Sequence, residues 1–308
     1  MVFMGTPEFA VPSLKALITA GAPILLVVTQ PDRPKGRGRK LAAAPVKELA
    51  LAHGLPVFQP ERIGRLEAVG RIVELRPVCI TVVAYGQLLP ARLLEYPSLG
   101  AVNLHASLLP KYRGPAPIHR ALINGEATTG VTTMLMDPGM DTGDILLCKE
   151  VAIGPEETAG SLYDRLAGEG ALLLLQTLEH LQEGTLKPRA QDHSQSTYAP
   201  LLTAADARVN WQEAAVSICR RIRGLDPSPG AFTSWQGWRL KLFGCRALTI
   251  PAPARPGTVL AIGAEGLQVA TGEGAAVVKA LQLEGRRRLS VPDFARGYTL
   301  KVGTVLGE

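Results

Sequence analysis

Through its first half the chain alternates short apolar runs with segments of helical period, a pattern suited to a mostly parallel sheet covered by helices on both faces. The runs Val2-Met4, Ile24-Thr29, Pro56-Phe58, Val78-Ala84 and Ala101-Leu104 are predicted strands, and helices are predicted at about 10–20, 45–53 and 62–75. Each helix then joins two successive strands in the right-handed βαβ sense. Gly130-Met136 and Asp144-Val151 read as a further pair of strands, followed by an amphipathic helix from Ser161 to Glu183 with Leu162, Leu166, Leu173 and Leu181 in the core. From Glu183 to Thr203 the pattern dissolves into a polar, proline-containing stretch without period, which is the expected linker. A short helix with Val216, Cys219 and Ile222 on its apolar side comes next, and then short strands separated by Pro and Gly turns, as in a small barrel. The expected organisation is an α/β domain over 1–188, a linker over 189–205 and a smaller β domain over 206–308.

Charge is distributed unevenly. Residues 204–308 carry 14 Lys or Arg against 8 Asp or Glu, while residues 1–203 balance at 19 against 19. Within the balanced part, Arg33, Lys35, Arg37, Arg39 and Lys40 form a run interrupted by Gly36 and Gly38 and answered by no acid. Such a run repels itself and is attracted to a polyanion such as nucleic acid, so a mobile loop that orders on that partner is expected. The four cysteines are widely spaced with no C-x-x-C pair, which fits reduced thiols in the cytoplasm. No stretch reaches 18 apolar residues and the first residues enter a strand without a basic leader, so neither a membrane role nor export is expected.

The segments that carry chemistry lie at predicted strand ends. Gly5 ends the first strand where open α/β sheets bind ligands, but Pro7 and Glu8 stand where a G-x-G-x-x-G fingerprint needs flexible backbone, so a dinucleotide is not expected. In the strand ending at His105, a period of two puts Asn103 and His105 on one side and Val102 and Leu104 on the other. The Gly- and Pro-rich segment to Pro117 then forms a stiff loop suited to a pocket wall. A second polar cluster at 136–145 holds Asp137, Asp141 and Asp144; it lacks calcium-loop spacing, and the five histidines lack zinc spacing, so no metal is expected. Asp141 is better used as a carboxylate partner that fixes a histidine tautomer and raises its basicity. Ser107 lacks a G-x-S-x-G elbow. Asn, His and Asp together suit direct attack of an amine on a carbonyl, with imidazole taking the amine proton and the amide donating to the oxyanion.

The motifs GTPEF at 5–9, TQPDRPKGRGRK at 29–40, VVAYGQLLP at 82–90, NLHASLLPKYRGPAPI at 103–118 and MDPGMDTGDI at 136–145 resemble the folate-dependent formyltransferase family over nearly the whole length. The resemblance implies a Rossmann-like, mostly parallel sheet followed by a smaller OB-like β-barrel domain that contributes to tRNA contact. It implies Asn103, His105 and Asp141 as catalytic residues. It also implies a folate site formed by Ser107, Leu108, Leu109 and Pro110 together with Val83, Tyr85, Gly86 and Leu89, the latter group lining a pterin pocket with main chain and apolar groups. The basic run 33–40 aligns with a tRNA-sensing loop whose arginine falls on Arg37. The implied reaction moves formyl from 10-formyltetrahydrofolate, a consumed cosubstrate, to the α-amino group of initiator methionyl-tRNA. No obligate protein partner is expected and the chain is expected to act as a monomer. Relatives acting on a small amine, a glycinamide ribonucleotide or a sugar nucleotide, share the same three residues; the extra residues after the linker and the run at 33–40 favour tRNA.

Overall fold

The computed structural model describes residues 1–35, 40–250 and 254–307, without the side chains of Lys35 and Lys40. In chain order, β1 (Val2–Gly5), α1 (Val11–Thr19), β2 (Leu26–Val28), β3 (Arg33–Lys35), β4 (Lys40–Ala42), α2 (Pro45–Ala52), β5 (Val57–Phe58), α3 (Leu66–Glu74), β6 (Ile80–Val83), α4 (Ala91–Glu95) and β7 (Ala101–His105) build the first part. They are followed by α5 (Pro117–Asn124), β8 (Thr128–Leu135), β9 (Ile145–Ala152) and α6 (Ala159–Gln182). Seven strands form one sheet in the order β5-β2-β1-β6-β7-β8-β9. β1 pairs in parallel with β2 and β6, β2 with β5, and β6 with β7, whereas β7 and β8 are antiparallel. Val2, Phe3 and Met4 and likewise Ile80, Thr81, Val82 and Val83 are buried on both faces, which is why these strands read as continuous apolar runs and do not alternate. At the end of β1 a Cβ on Gly5 would lie 2.8 Å from Ala10 Cβ and 2.9 Å from Val83 O, so only glycine lets the chain turn there into the next helix.

Two elements differ from the sequence expectation. The basic run was expected as loop throughout, yet Arg33–Lys35 and Lys40–Ala42 pair as an antiparallel ribbon. Its base is fixed by Asp32, whose carboxylate accepts from Lys47 Nζ at 2.6 Å and Gln59 Nε2 at 2.8 Å. α4 covers only the five residues ARLLE after Pro90, too short for the sequence to show a period.

The described residues form two compact units: Met1–Gly114, Thr129–Val151 and Tyr163–Ala199 make the first, and Pro115–Thr128, Ala152–Leu162 and the chain from Pro200 onward make the second. The segment 189–199 is held in the first unit by backbone bonds, Ile145 with Arg189 in both directions at 2.8 and 2.9 Å, and Arg113 with Thr197 and Ala199 at 2.9 and 2.7 Å.

The second unit adds α7 (Ala204–Ala207), α8 (Ala215–Gly224), β10 (Ala231–Trp235), β11 (Trp238–Leu248), β12 (Val259–Gly263), β13 (Gly266–Ala270), β14 (Ala275–Leu283), β15 (Leu289–Ser290) and α9 (Val291–Gly297). Its strands run β10-β11-β14-β13-β12, with β15 on β14 and each pairing antiparallel. The core gathers Ile218, Ile222, Leu240, Leu242, Val269 and Phe294 among others. On α8 the buried stripe is Ala215, Ile218, Cys219 and Ile222, at i, i+3, i+4 and i+7, while Val216, expected inside, is 47% exposed because it falls about 100° from that stripe. The cysteine expectation is also corrected: Cys219 on α8 and Cys245 on β11 form a disulfide, because these elements pack together although the cysteines are 26 residues apart. Cys79 and Cys148 are free, the former buried with its thiol pushed up to about 11 by loss of water.

Two acids, Asp206 partly exposed and Asp226 buried, organise this unit. Arg120 binds both carboxylate oxygens of Asp206, at 2.7 and 3.1 Å, while Thr203 and Asp206 cap α7 reciprocally. The Arg120 bonds, ahead of the Thr203 contacts, hold the Asp206 carboxyl well below the usual range, so its contribution to stability is present above the ordinary carboxylate pKa of about 4 and lost as pH falls below it. Asp226, 4% exposed, accepts from Arg288 Nη1 at 2.8 Å and from Gly244 N at 2.8 Å. Asp226→Ala is expected to destabilise the unit by about 2 kcal/mol, less than for a fully buried pair because Arg288 remains largely in contact with water. Urea unfolding of the variant against wild type measures this, and an unchanged midpoint would contradict it.

Candidate active site

Asn103 and His105 share one side of β7, flanked by β6 on one edge and β8 on the other, with Asn103 opposite Val82 and Met134. His105 is 7% exposed and its Nε2 lies 2.9 Å from the Tyr112 carbonyl oxygen. A carbonyl only accepts, so neutral His105 carries its proton on Nε2 and leaves Nδ1 as the basic atom. Nδ1 lies 3.7 Å from Asp141 Oδ2, beyond hydrogen-bond length. The tautomer is therefore fixed by Tyr112, whereas the sequence reading gave that task to Asp141; the carboxylate is placed to stabilise an imidazolium once Nδ1 takes a proton. Asn103 is half-buried, and no hydrogen bond among the described residues engages its carboxamide. Its donors are available to a ligand.

The loop from β8 to β9 delivers Asp141. Its φ of 55° is left-handed, a conformation costly for a residue with a side chain and sustained only when neighbours determine it. Those neighbours are identifiable. Gly114 N donates to Asp141 Oδ2 at 2.7 Å, and Gln191 Nε2 donates to the carbonyls of Asp141 at 2.9 Å and Gly143 at 2.7 Å. Arg113 in turn donates through Nε and Nη2 to Gln191 Oε1 at 3.1 and 2.6 Å. Asp137 closes the loop by accepting from Thr142 Oγ1 and Gly139 N. A Cβ on Gly143 would fall 1.7 Å from Leu135 O, so the return of the chain past β8 requires glycine. Gln191 and Arg113 were not singled out by the sequence reading, since Gln191 lies in a stretch without period and shows its role only through contacts 48 and 50 residues away. Gln191→Ala is expected to lower the turnover rate about 10- to 100-fold by releasing Asp141, with donor affinity nearly unchanged. A kcat equal to wild type would remove Gln191 from the positioning network.

The remaining site residues divide by what they expose. Ser107 Oγ donates to Lys111 O at 2.6 Å, and Thr132 Oγ1 donates to Ser107 O at 2.7 Å while accepting from Leu109 N at 3.2 Å, which holds the turn Ser107–Pro110 beside His105. Ser107 and Leu109 are buried, Leu108 and Pro110 partly exposed. Val83, Tyr85 and Leu89 are buried in the first unit, so their side chains serve as backing, whereas Gly86 at φ 90° is exposed and its N–H has no hydrogen bond among the described residues. Burial pushes the Tyr85 phenol up to about 12, and its OH has no hydrogen-bond partner among the described residues. The Tyr85 carbonyl accepts from Thr6 Oγ1 at 3.0 Å and Gln30 Nε2 at 3.3 Å, which ties this loop to the end of β1 and to the stretch leading into the ribbon. Of the basic run, Arg33 is exposed at the ribbon; Arg37 and Arg39, and the side chains of Lys35 and Lys40, lie outside the described residues. Among the described residues no group of three or more His, Cys, Asp or Glu is arranged to hold a metal ion, and no helix is long and apolar enough to cross a membrane.

The family model described as formyl transferase matches residues 1–178, and that described as formyl transferase, C-terminal domain, matches residues 201–299. The chain belongs to the formyltransferase family. This formyltransferase is 50% identical over 311 residues to the methionyl-tRNA formyltransferase of Desulforamulus reducens, covering 100% of this chain and 97% of that relative. The methionyl-tRNA formyltransferase of Geobacter metallireducens is 49% identical over 308 residues, with 100% and 98% covered. Among solved structures, the N-formyltransferase of Helicobacter canadensis in complex with folinic acid and dTDP-3-aminofucose superposes with a TM-score of 0.67 at 17% identity, covering 94% of this chain and 98% of that one. At that identity the likeness concerns the fold. The mostly parallel sheet with helices and the antiparallel second unit are the architecture expected of a formyltransferase.

Proposed function

We propose that this formyltransferase moves the formyl group of 10-formyltetrahydrofolate to the α-amino group of initiator methionyl-tRNA. The observation that carries the acceptor is the full-length identity of about half to methionyl-tRNA formyltransferases, which extends through both units. The residues present fit the donor: the exposed backbone at Gly86 offers an unused N–H to a flat polar ring over an apolar backing, and the turn Ser107–Pro110 forms a second wall. The free α-amine of an aminoacyl group has an ordinary pKa of about 8, so a useful fraction is neutral and nucleophilic near neutral pH.

In the proposed reaction the amine attacks the formyl carbon directly. Asn103 donates its amide N–H to the developing oxyanion, and the amine proton passes to His105 Nδ1. Tyr112 O holds the opposite ring nitrogen, and the Asp141 carboxylate stabilises the imidazolium. Collapse of the adduct expels tetrahydrofolate nitrogen, which needs a proton that His105 is placed to return. Arg33, Lys35, Arg37, Arg39 and Lys40, and the net positive second unit, are assigned to the tRNA. This acceptor places the work in the cytoplasm, and the chain acts as a monomer.

Acceptor competition tests the reading. With one formyl donor, initiator methionyl-tRNA, elongator methionyl-tRNA, glycinamide ribonucleotide and a dTDP-amino sugar are offered together, and kcat/KM is measured for each. Initiator methionyl-tRNA is expected to exceed the small amines by orders of magnitude. A small amine used at least as well would replace the tRNA reading.

A further inference from the structure

β1 lies between β2 and β6 and all three run parallel, so their carboxyl ends bring Thr6, Gln30 and Tyr85 together. The Tyr85 carbonyl accepts there from Thr6 Oγ1 at 3.0 Å and from Gln30 Nε2 at 3.3 Å, while Gln30 N donates to Thr6 Oγ1 at 3.3 Å. Which end of the Gln30 amide faces Tyr85 is set one residue further out. The Ile63 N–H can only donate, so it fixes Gln87 Oε1 as its acceptor at 2.8 Å. Gln87 Nε2 then donates to Gln30 Oε1 at 3.3 Å, which leaves Gln30 Nε2 for the Tyr85 carbonyl. The main chain of Gln30 is anchored as well, since Gln59 Nε2 donates to its carbonyl at 2.9 Å and to Asp32 Oδ1 at 2.8 Å.

The Tyr85 carbonyl and the Gly86 N–H belong to one planar trans peptide unit, so the two groups point in opposite directions. Drawing the carbonyl toward Thr6 and Gln30 therefore turns the N–H away from them. Gly86 is exposed, and that N–H has no hydrogen bond among the described residues. The segment needs such a clamp: Ala84 has φ 47° and Gly86 φ 90°, and a left-handed value at a residue with a side chain persists only where neighbours determine it. The Gln30 amide is close enough to act as one, because a Cβ on Gly86 would lie 3.6 Å from Gln30 Nε2. We propose that Gln30 is a positioning residue of the folate site, aiming the Gly86 N–H at the acceptor edge of the donor's pterin ring, with Gln87 setting the polarity of the Gln30 amide. The assignment rests on the folate reading of the donor and is independent of which amine receives the formyl group.

Calorimetric titration of the full chain with tetrahydrofolate, together with the donor KM and kcat of formyl transfer, tests it. Gln30→Ala is expected to weaken tetrahydrofolate and raise the donor KM by about fivefold, the size of one neutral hydrogen bond, with kcat within about twofold of wild type because the N–H grips ground and transition state alike. Gln30→Glu keeps the length of the side chain but sets an acceptor against the Tyr85 carbonyl, so it should bind no better than alanine. Gln87→Glu keeps the bond from Ile63 N and cannot donate to Gln30, so the Gln30 amide turns round and Tyr85 O loses the same donor. It should show the same defect, and adding it to Gln30→Ala should cost less than about twofold more, whereas independent effects would multiply. Wild-type affinity in Gln30→Glu would mean that the side chain only fills space, and would overturn the proposal. So would multiplied effects in the double variant, or a Gln30→Ala protein whose thermal midpoint falls while tetrahydrofolate binds as in wild type. Failure of the wild-type chain to bind tetrahydrofolate would overturn the folate reading and this assignment with it; where the wild type binds, the variants decide the positioning role alone.

Discussion

His105→Ala is expected to reduce the single-turnover rate of formyl transfer by about 10²–10⁴-fold, the range for removing a positioned general base. The expectation rests on a specific arrangement: Nε2 is committed to Tyr112 O, so Nδ1 is the atom left to accept a proton, and it faces Asp141 at 3.7 Å. Donor affinity should change little, because the imidazole is used for proton movement and is 7% exposed in the wall beneath. The loss should therefore fall on the chemical step measured with both substrates saturating. Asp141→Asn, which keeps the size and the bond from Gly114 N but removes the charge that stabilises the imidazolium, should be impaired in the same step. A His105→Ala rate within a fewfold of wild type would assign the proton transfer to another group or to solvent.

For Asn103→Ala the expected loss is about 10²–10³-fold, or roughly 3–4 kcal/mol of transition-state stabilisation, as for other single oxyanion donors. Its carboxamide has no hydrogen bond among the described residues, so alanine leaves no protein partner stranded and the fold should tolerate the change. Asn103→Asp is more severe, since a carboxylate repels the oxyanion it would face. Quench-flow rates with thermal unfolding of the same variants separate chemistry from stability. A loss confined to donor binding would make Asn103 a ground-state contact.

The parts of this site that were legible in the sequence are those set by local period. Alternation in β7 puts Asn103 and His105 on one side without any tertiary information, and the buried parallel strands declare themselves as continuous apolar runs. The sequence motifs also carried Asp141 to the same centre. What escaped depends on contacts between distant residues. Gln191 is one polar residue in a stretch without pattern, and only the folded chain brings its amide to the carbonyls of Asp141 and Gly143. The role of Tyr112 is carried by a main-chain oxygen, which side-chain identity does not encode. Cys219 and Cys245 likewise lack a motif spacing and meet because a helix packs on a long strand. Val216 was misplaced for a simpler reason: with α8 only ten residues long, an apolar residue beside the stripe is easily mistaken for part of it.

The central claim is that the α-amine of methionyl-tRNA attacks the formyl carbon directly, with no formyl group held by the protein in between. Rapid chemical quench with 10-formyltetrahydrofolate labelled in the formyl carbon tests it most directly, mixing enzyme and donor first without acceptor and then with initiator methionyl-tRNA. The account predicts no label on the protein before acceptor is added, and afterwards a single phase that delivers the label to N-formylmethionine and is slowed in both His105→Ala and Asn103→Ala. Label bound covalently to the protein before the acceptor arrives, or label that never reaches the methionyl amine, would contradict it.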